Sequence, residues 1–388
     1  MKKIASYALG CKVNQYESEA IAELFAEKGY EVVSVDDEAD VYIINTCTVT
    51  NFGDKKSRQL IRKVKRQNEN AIVAVVGCYA QTAPEELAAV HGVNLVIGTK
   101  DKSKIVELVE DYQAEQGVQN YVTDIMHERV FEPLEIKKLA NRTRAYLKIQ
   151  DGCSQFCSYC IIPYARGPIR SRQPEDVIAE VKRLAENGFK EVVTEEFAAA
   201  MAELPKVCDH FHLSLQSGCD KTLKEMNRKY DTEKYRQAAA LLRKYLPDVA
   251  ITTDIIVGFP GETEEDYQAS RAFAEEIGFS KIHVFPYSPK KGTPAAARKD
   301  QLQNAVKQER SHDLITVSDR MTDAFLQKHV GKVMPVLFER CIGDDVYEGH
   351  TTNYMKVHAR STKDLSNVIA DTKILSVAEE MAFGEVEA

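Results

Sequence analysis

The sequence predicts an α/β protein in three parts: an N-terminal open parallel α/β domain, a partial (β/α) barrel and a small C-terminal β-barrel. Three observations carry this. Short β-branched apolar runs alternate with amphipathic helical stretches over the first hundred residues. The same alternation restarts near residue 144. From residue 331 it gives way to short strands separated by turns.

In chain order, IASYAL (4–9) reads as a strand, and YESEAIAELFAEKG (16–29) as an amphipathic helix stopped by Gly29. EVVSV (31–35), VYIIN (41–45) and AIVAVV (71–76) read as further strands, the pattern of a parallel sheet. Residues 1–115 form this domain, and the polar stretch 116–141 is a linker. Residues 142–298 form the partial barrel. Its strands are expected at 144–149, 190–193, 210–216, 249–257 and 280–287. Its helices are expected at 174–188, between Pro174 and Gly188, and near 194–204, 232–246 and 263–277. A polar connecting helix covers 299–330, and 331–388 form the small β-barrel.

Composition narrows the function classes. The chain has 388 residues, 44% hydrophobic and 28% charged, with net charge −8. This balance suits a soluble protein and argues against wholesale coating by nucleic acid, while leaving room for local basic patches. No apolar run is long enough to span a membrane, and the N-terminus lacks a signal-peptide pattern. A cytoplasmic monomer without membrane contact is expected. Nine cysteines in that compartment point to metal or redox chemistry rather than disulfides.

Six of those cysteines fall into two sets. Cys11 follows IASYALG, Cys47 follows VYIINT and Cys78 follows AIVAVVG, each just past the end of an expected parallel strand. Open α/β sheets bind ligands at that edge, so distant cysteines would converge there. A single cysteine would read as a small core residue; three at one topological position read as ligands. The second set is CSQFCSYC, with Cys153, Cys157 and Cys160 following the expected strand RAYLKI. A zinc site wants a fourth Cys or His close by. Cys208 is far along the chain and precedes a strand, and His210 and His212 lie within that strand. A three-ligand iron–sulfur cluster with one open iron fits better. Cys208, Cys219 and Cys341 show no partner pattern, and His91 and His283 read as ordinary residues.

CSQFCSYC, with Tyr159 before its last cysteine, resembles the radical S-adenosylmethionine (SAM) enzymes, in which SAM chelates the open iron of a [4Fe–4S] cluster and is cleaved to a 5′-deoxyadenosyl radical. YALGCKVNQYESE, NTCTVTNFGDKKSRQ, VVGCYAQ, DGCSQFCSYCIIPYARG, HFHLSLQSG and TDIIVGFPGET narrow the resemblance to the methylthiotransferases, and within them to the branch acting on tRNA that carries N6-threonylcarbamoyladenosine beside the anticodon. The resemblance runs nearly end to end. It implies a second [4Fe–4S] cluster on Cys11, Cys47 and Cys78 that carries the sulfur, SAM as cofactor, tRNA as substrate, an electron donor and a sulfur source. It also likens the C-terminal barrel to a TRAM domain, although residues 331–388 hold six Lys or Arg against ten Asp or Glu.

Other residues follow from the same resemblance. Tyr159, Gly258 and Gly261 are candidates for SAM contact. Ser214 and Gln216, at period two on an expected strand, are either satisfied core groups or SAM contacts. KKSRQLIRKVKR (55–66) carries seven basic residues and no acid. A solvated face is the ordinary reading of such a run, but its position just after Cys47 favours tRNA backbone contact by Lys55, Lys56, Arg58, Arg62 and Lys63. Arg166 and Arg170, with Arg142, Arg144 and Arg172, flank the second cysteine set and are candidates for the same role. The chain departs from the family after Val193: the strand EVV runs straight into a helix, and one strand–helix unit of the barrel is missing. The alternatives are a catalytically inactive iron–sulfur protein that still binds tRNA, and a methylthiotransferase for a ribosomal-protein side chain.

Overall fold

Strands buried on both faces need helices on both faces, and the N-terminal sheet is built that way. The computed structural model describes residues 1–48, 51–134, 148–173, 176 and 208–387. Apart from residue 176, the expected elements at 174–188, 190–193 and 194–204, with most of 144–149, lie outside them, as do Arg142 and Arg144. The chain divides into two compact units, Met1–Phe189 with Ser288–Ala296, and Lys190–Tyr287 with Ala297–Ala388.

In the first unit β1 (Lys3–Ala8), β2 (Glu31–Val32), β3 (Val41–Thr46), β4 (Ile72–Gly77), β5 (Leu95–Val96) and β6 (Gln119–Asn120) form one parallel sheet in the order β2-β1-β3-β4-β5-β6. Every residue of β3 is buried, as expected of a covered parallel sheet. Side chains alternate between two cores. Ile4, Val41, Ile43, Ala74 and Val76 pack with Ile21 and Phe25 of α1 (Lys12–Glu27). Ala5, Tyr42, Ile44, Val73 and Val75 pack with Ile61 and Val64 of α2 (Asn51–Gln67). Short helices α3 (Cys78–Thr82), α4 (Pro84–Ala88) and α5 (Ile105–Glu110) complete the layers.

Helix α1 starts earlier than its apolar periodicity indicates, because Cys11 is its N-cap, with extended backbone. The chain then reverses at Gly29, whose φ is +86°. The unit also holds the second cysteine set. A two-residue antiparallel pair, β7 (Gln150–Asp151) and β8 (Arg170–Ser171), closes a loop around residues 152–169 that includes α6 (Ile162–Arg166).

The second unit carries a parallel three-stranded sheet, β9 (His210–His212), β10 (Ala250–Val257) and β11 (Lys281–Pro286), in the order β11-β10-β9. Its helices are α7 (Asp220–Glu225), α8 (Thr232–Tyr245), α9 (Glu264–Ile277) and α10 (Asn304–Gln327). Leu314 and Val317 of α10 enter the sheet's core, and Leu326 enters the core of the C-terminal barrel. Five strands close that barrel in the order β12-β13-β14-β16-β15: β12 (Val333–Gly343), β13 (Val346–Thr351), β14 (Lys356–Arg360), β15 (Val368–Ala378) and β16 (Met381–Val386). Among the described residues no helix is long and apolar enough to cross a membrane.

Candidate functional site

Cys11, Cys47 and Cys78 follow β1, β3 and β4, which are consecutive neighbours in the sheet, so parallel pairing alone brings their loops to one edge. Polar side chains lash the loops together. Asn14 Nδ2 donates to the carbonyls of Leu9 (2.7 Å) and Thr46 (3.1 Å), joining the Cys11 and Cys47 loops. Thr46 Oγ1 donates to the Val76 carbonyl and accepts from the Ala80 amide, joining the Cys47 loop to α3. Gly10 has φ +93°, and a Cβ there would lie 2.5 Å from both Cβ and Sγ of Cys47. Only glycine lets the two loops approach this closely. Cys78 opens α3 and is buried, Cys47 is buried and Cys11 is exposed.

Behind Cys78 lies a buried ion cluster. Arg166 Nε donates to Cys78 Sγ at 3.2 Å. Its Nη1 donates to Glu17 Oε1 and Asp151 Oδ1, both at 3.0 Å, and its Nη2 donates to Asn14 Oδ1 at 2.8 Å. Lys148 pairs with Glu17 and Asp151 at 2.7 Å, and Lys102 with Glu17 at 2.8 Å. Arg170 lies 3.5 Å from Asp151 and donates to the Arg166 carbonyl at 2.8 Å. Burial pushes the Glu17 carboxyl up, but Arg166, Lys102 and Lys148 together hold it well below the usual carboxylate range. Burial likewise raises the Cys78 thiol, with Arg166 opposing.

Among the described residues, the cluster sets four buried cations against two buried carboxylates. Excess buried charge is costly without a counter-ion. Thiolates on an anionic iron–sulfur cluster supply one at this position, so the donor set and its surroundings fit that group. Among the described residues, no three His, Cys, Asp or Glu side chains gather tightly enough for a single metal ion; a [4Fe–4S] core spaces its thiolates more widely.

The second set is held by backbone. The Cys153 amide donates to the Gly167 carbonyl at 2.9 Å, and the Cys160 amide to that of Cys157 at 3.0 Å. The Ile162 amide points at Cys160 Sγ, 3.4 Å away. Gly152 (φ +77°) lies against the Gly167 and Pro168 carbonyls, where any Cβ would clash. Phe156 takes φ +48° at the loop's tip, and its ring meets Tyr164 edge-on at 5.8 Å. Cys157 is buried, while Cys153 and Cys160 are half-buried. An amide aimed at sulfur and two partly open thiols suit a cluster with an accessible face.

Residues 147–194 and 191–274 match the Radical SAM superfamily, and residues 3–98 match the family described as Uncharacterized protein family UPF0004. The Bacillus subtilis threonylcarbamoyladenosine tRNA methylthiotransferase MtaB is 42% identical, covering 97% of this chain and 94% of its own length. The chain belongs to the radical-SAM methylthiotransferase family. The Aquifex aeolicus MtaB is 35% identical over 95% of this chain and 99% of its own. A Methylacidiphilum infernorum tRNA-2-methylthio-N(6)-dimethylallyladenosine synthase is 32% identical over 87% and 84%. The radical SAM methyltransferase TsrM of Kitasatospora setae shares the fold, with TM-score 0.55 and 15% identity over 76% of this chain and 77% of its own. In this methylthiotransferase chain the superfamily match comes in two pieces that overlap at 191–194, the stretch where the sequence departs from the family pattern.

Several candidate residues sit differently from expectation in this family member. Arg166 and Arg170 are buried in the ion cluster, so neither presents its guanidinium to an RNA backbone. Arg58 is half-buried, bonding the Tyr79 hydroxyl and lying 5.8 Å over its ring. Lys55, Lys56, Arg62 and Lys63 are exposed on α2, Lys63 pairing with Asp36. With Tyr7, Leu9 and Arg66, three of these line an open groove of about 690 Å³.

Tyr159 is half-buried in the second cysteine loop. Ser214 and Gln216 do not share a strand face, because β9 ends at His212 and Gln216 has φ +69°. Gly258 (φ +68°) and Gly261 (φ +78°) approach protein groups: a Cβ at Gly258 would meet Lys307, and one at Gly261 would meet Arg298 and Asp300. Sequence reading missed Asn14, Glu17, Thr46, Lys102, Lys148 and Asp151. For Asn14, Glu17, Thr46 and Asp151 the signal was faint, polar residues a few positions from a cysteine as in CKVNQYE, INTC and QDGC, and Lys102 and Lys148 carried none. It also missed a polar row on the second unit's sheet. His212 lies 3.3 Å from Asp254 and from Ser214 Oγ, and 5.9 Å from the His283 ring.

Proposed function

We propose that this chain methylthiolates C2 of N6-threonylcarbamoyladenosine beside the anticodon of tRNA, using SAM, an external electron donor and a sulfur source. The observation that carries the reading is the pair of separate three-cysteine sites in one unit, joined by a single buried arginine. Cys153, Cys157 and Cys160 are the residues that would hold the SAM-binding [4Fe–4S] cluster, and Cys11, Cys47 and Cys78 those of the second. When bound, these groups supply one-electron cleavage of SAM for attack on an unreactive aromatic C–H and a sulfur held ready for insertion.

The protein's own contribution is placement. Hydrogen bonds among Asn14, Thr46 and Ala80 hold the first three cysteine loops in fixed order. The Ile162 amide orients Cys160, and the Cys153–Gly167 bond pins the loop's start. Lys56, Arg62 and Arg66 line a groove beside Tyr7, an arrangement suited to RNA phosphates with a base stacked on the ring. The exposed Phe156–Tyr164 pair offers aromatic surface at the second cysteine loop.

The test is anaerobic iron and sulfide reconstitution, followed by reductant, SAM and tRNA. The expected products are 5′-deoxyadenosine and the methylthiolated nucleoside, read by mass spectrometry. Two loaded clusters without 5′-deoxyadenosine would sink the enzyme reading. They would favour the second one, an inactive tRNA-binding homologue, which the broken superfamily match at 191–194 supports.

A further inference from the structure

The buried arginine between the two cysteine sites has a geometry that packing alone does not require. Its planar fork makes contacts with four different residues, Cys78, Glu17, Asp151 and Asn14, at 2.8–3.2 Å. Two of them, Cys78 and Asn14, belong to the first cysteine edge. A third, Asp151, lies two residues before Cys153, and its Oδ1 also accepts the Gly152 amide at 2.8 Å. The Arg166 carbonyl is in turn held by Arg170. The guanidinium is therefore fixed by its own four partners, while the Arg170 bond touches only the backbone, and it stays charged at any ordinary pH.

We propose that Arg166 is a positioning residue that ties the Cys11/Cys47/Cys78 cluster to the Cys153–Cys160 loop and raises the reduction potential of that first cluster through its Nε–H···Sγ bond to Cys78. The proposal rests on the two-cluster reading given above. A hydrogen bond to a ligand sulfur, with a fixed positive charge behind it, favours the more negative, reduced form of a cluster. Lysine keeps the charge but has neither the planar fork nor a donor fixed at the Nε position.

The experiment uses the full chain carrying Cys157→Ala, so that the first cluster is read alone, and adds Arg166→Gln or Arg166→Lys. Iron per chain is measured, and the reduced cluster is followed by electron paramagnetic resonance at a fixed reductant poise. Arg166→Gln is expected to lower the reduced-to-oxidised ratio roughly tenfold, the scale of one hydrogen bond to a charged group. Arg166→Lys is expected to give a smaller shift of the same sign, and it decides the matter where the glutamine variant fails to fold. Arg170→Lys, whose parent side chain bonds no sulfur in the structure, is expected to leave the ratio unchanged.

Equal iron with an unmoved ratio in Arg166→Lys overturns the proposal. So does an equal shift in Arg170→Lys, which would assign the effect to disturbance of the ion cluster in general rather than to the bond to Cys78. A Cys157→Ala parent that loads no iron sinks the two-cluster reading itself. A loaded parent with unmoved variants sinks the role of Arg166 alone.

Discussion

The two cysteine sites gather the same number of thiols by opposite means. Cys153, Cys157 and Cys160 sit in one short loop, whose local backbone bonds and the positive φ of Gly152, Phe156 and Gly167 set its shape. Cys11, Cys47 and Cys78 come from three strands, and their meeting depends on sheet order, on Gly10 and on a scaffold of buried polar groups. The local site is specified by eight consecutive residues. The distributed one inherits its geometry from the fold, so it should fail whenever the fold is disturbed, while the loop should tolerate more.

Removing a ligand from each site gives the largest expected effects and the plainest way to break this comparison. Cys157→Ala should abolish 5′-deoxyadenosine formation and leave iron at the first site. Cys78→Ala should do the reverse, preserving SAM cleavage and abolishing methylthio product. Iron counting, Mössbauer spectra and product analysis on both variants check this. Loss of both clusters from either single change would show that the sites are not separable.

Next in size is the buried ion cluster beneath the distributed site. Glu17 is fully buried and faces Arg166, Lys102 and Lys148. Glu17→Ala leaves those cations without their carboxylate. Breaking a buried pair in this way costs about 3–5 kcal/mol, visible as a lowered urea midpoint of the apo chain. The same groups give a pH dependence. The Glu17 and Asp151 carboxylates are both held below their ordinary range. Their stabilisation is therefore complete above the unfolded carboxylate value near ~4 and is lost as pH falls below it. Iron at the first site should fall as pH drops through this range; unchanged loading down to pH ~3 would argue against the distributed site's dependence on the ion cluster.

Gly10→Ala sharpens the point with little change elsewhere. The backbone at φ +93° would be strained by about 1–3 kcal/mol, and the new methyl would displace Cys47. Iron at the first site should fall, with the second site fully loaded.

These contrasts also explain what the sequence made legible. CSQFCSYC could be read from spacing, because its geometry is local. The distributed set could be placed at a sheet edge, because strand ends are legible from β-branched runs that stop at glycine or threonine. Glu17 could not, because a charged residue on an amphipathic helix ordinarily reads as a solvated face, and Lys102 could not, because a lysine in a polar, irregular stretch reads the same way. Their burial follows from tertiary contact with residues more than forty positions away. The same blindness assigned Arg166 and Arg170 to RNA: a basic flank looks alike whether it faces water or a buried carboxylate. Gln216 shows the limit of period-two reasoning, since one positive φ breaks the alternation.

The smallest expected effect separates surface cations from buried ones. Helix α2 begins four residues after Cys47 and presents Arg62 and Arg66 to the groove beside Tyr7. Arg170, near the other site, is enclosed. Replacing Arg62 by Ala should weaken tRNA binding at low salt only several-fold, and should reduce the slope of log affinity against log salt by about 1, as loss of one phosphate contact does. Arg66→Ala should act alike, and the double variant should reduce the slope by about 2. Arg170→Lys should leave the slope untouched, because a side chain turned into the protein releases no counterions from RNA. An unchanged slope in the Arg62 and Arg66 variants would move the RNA face away from α2, and with it the link between the distributed cysteine edge and the substrate.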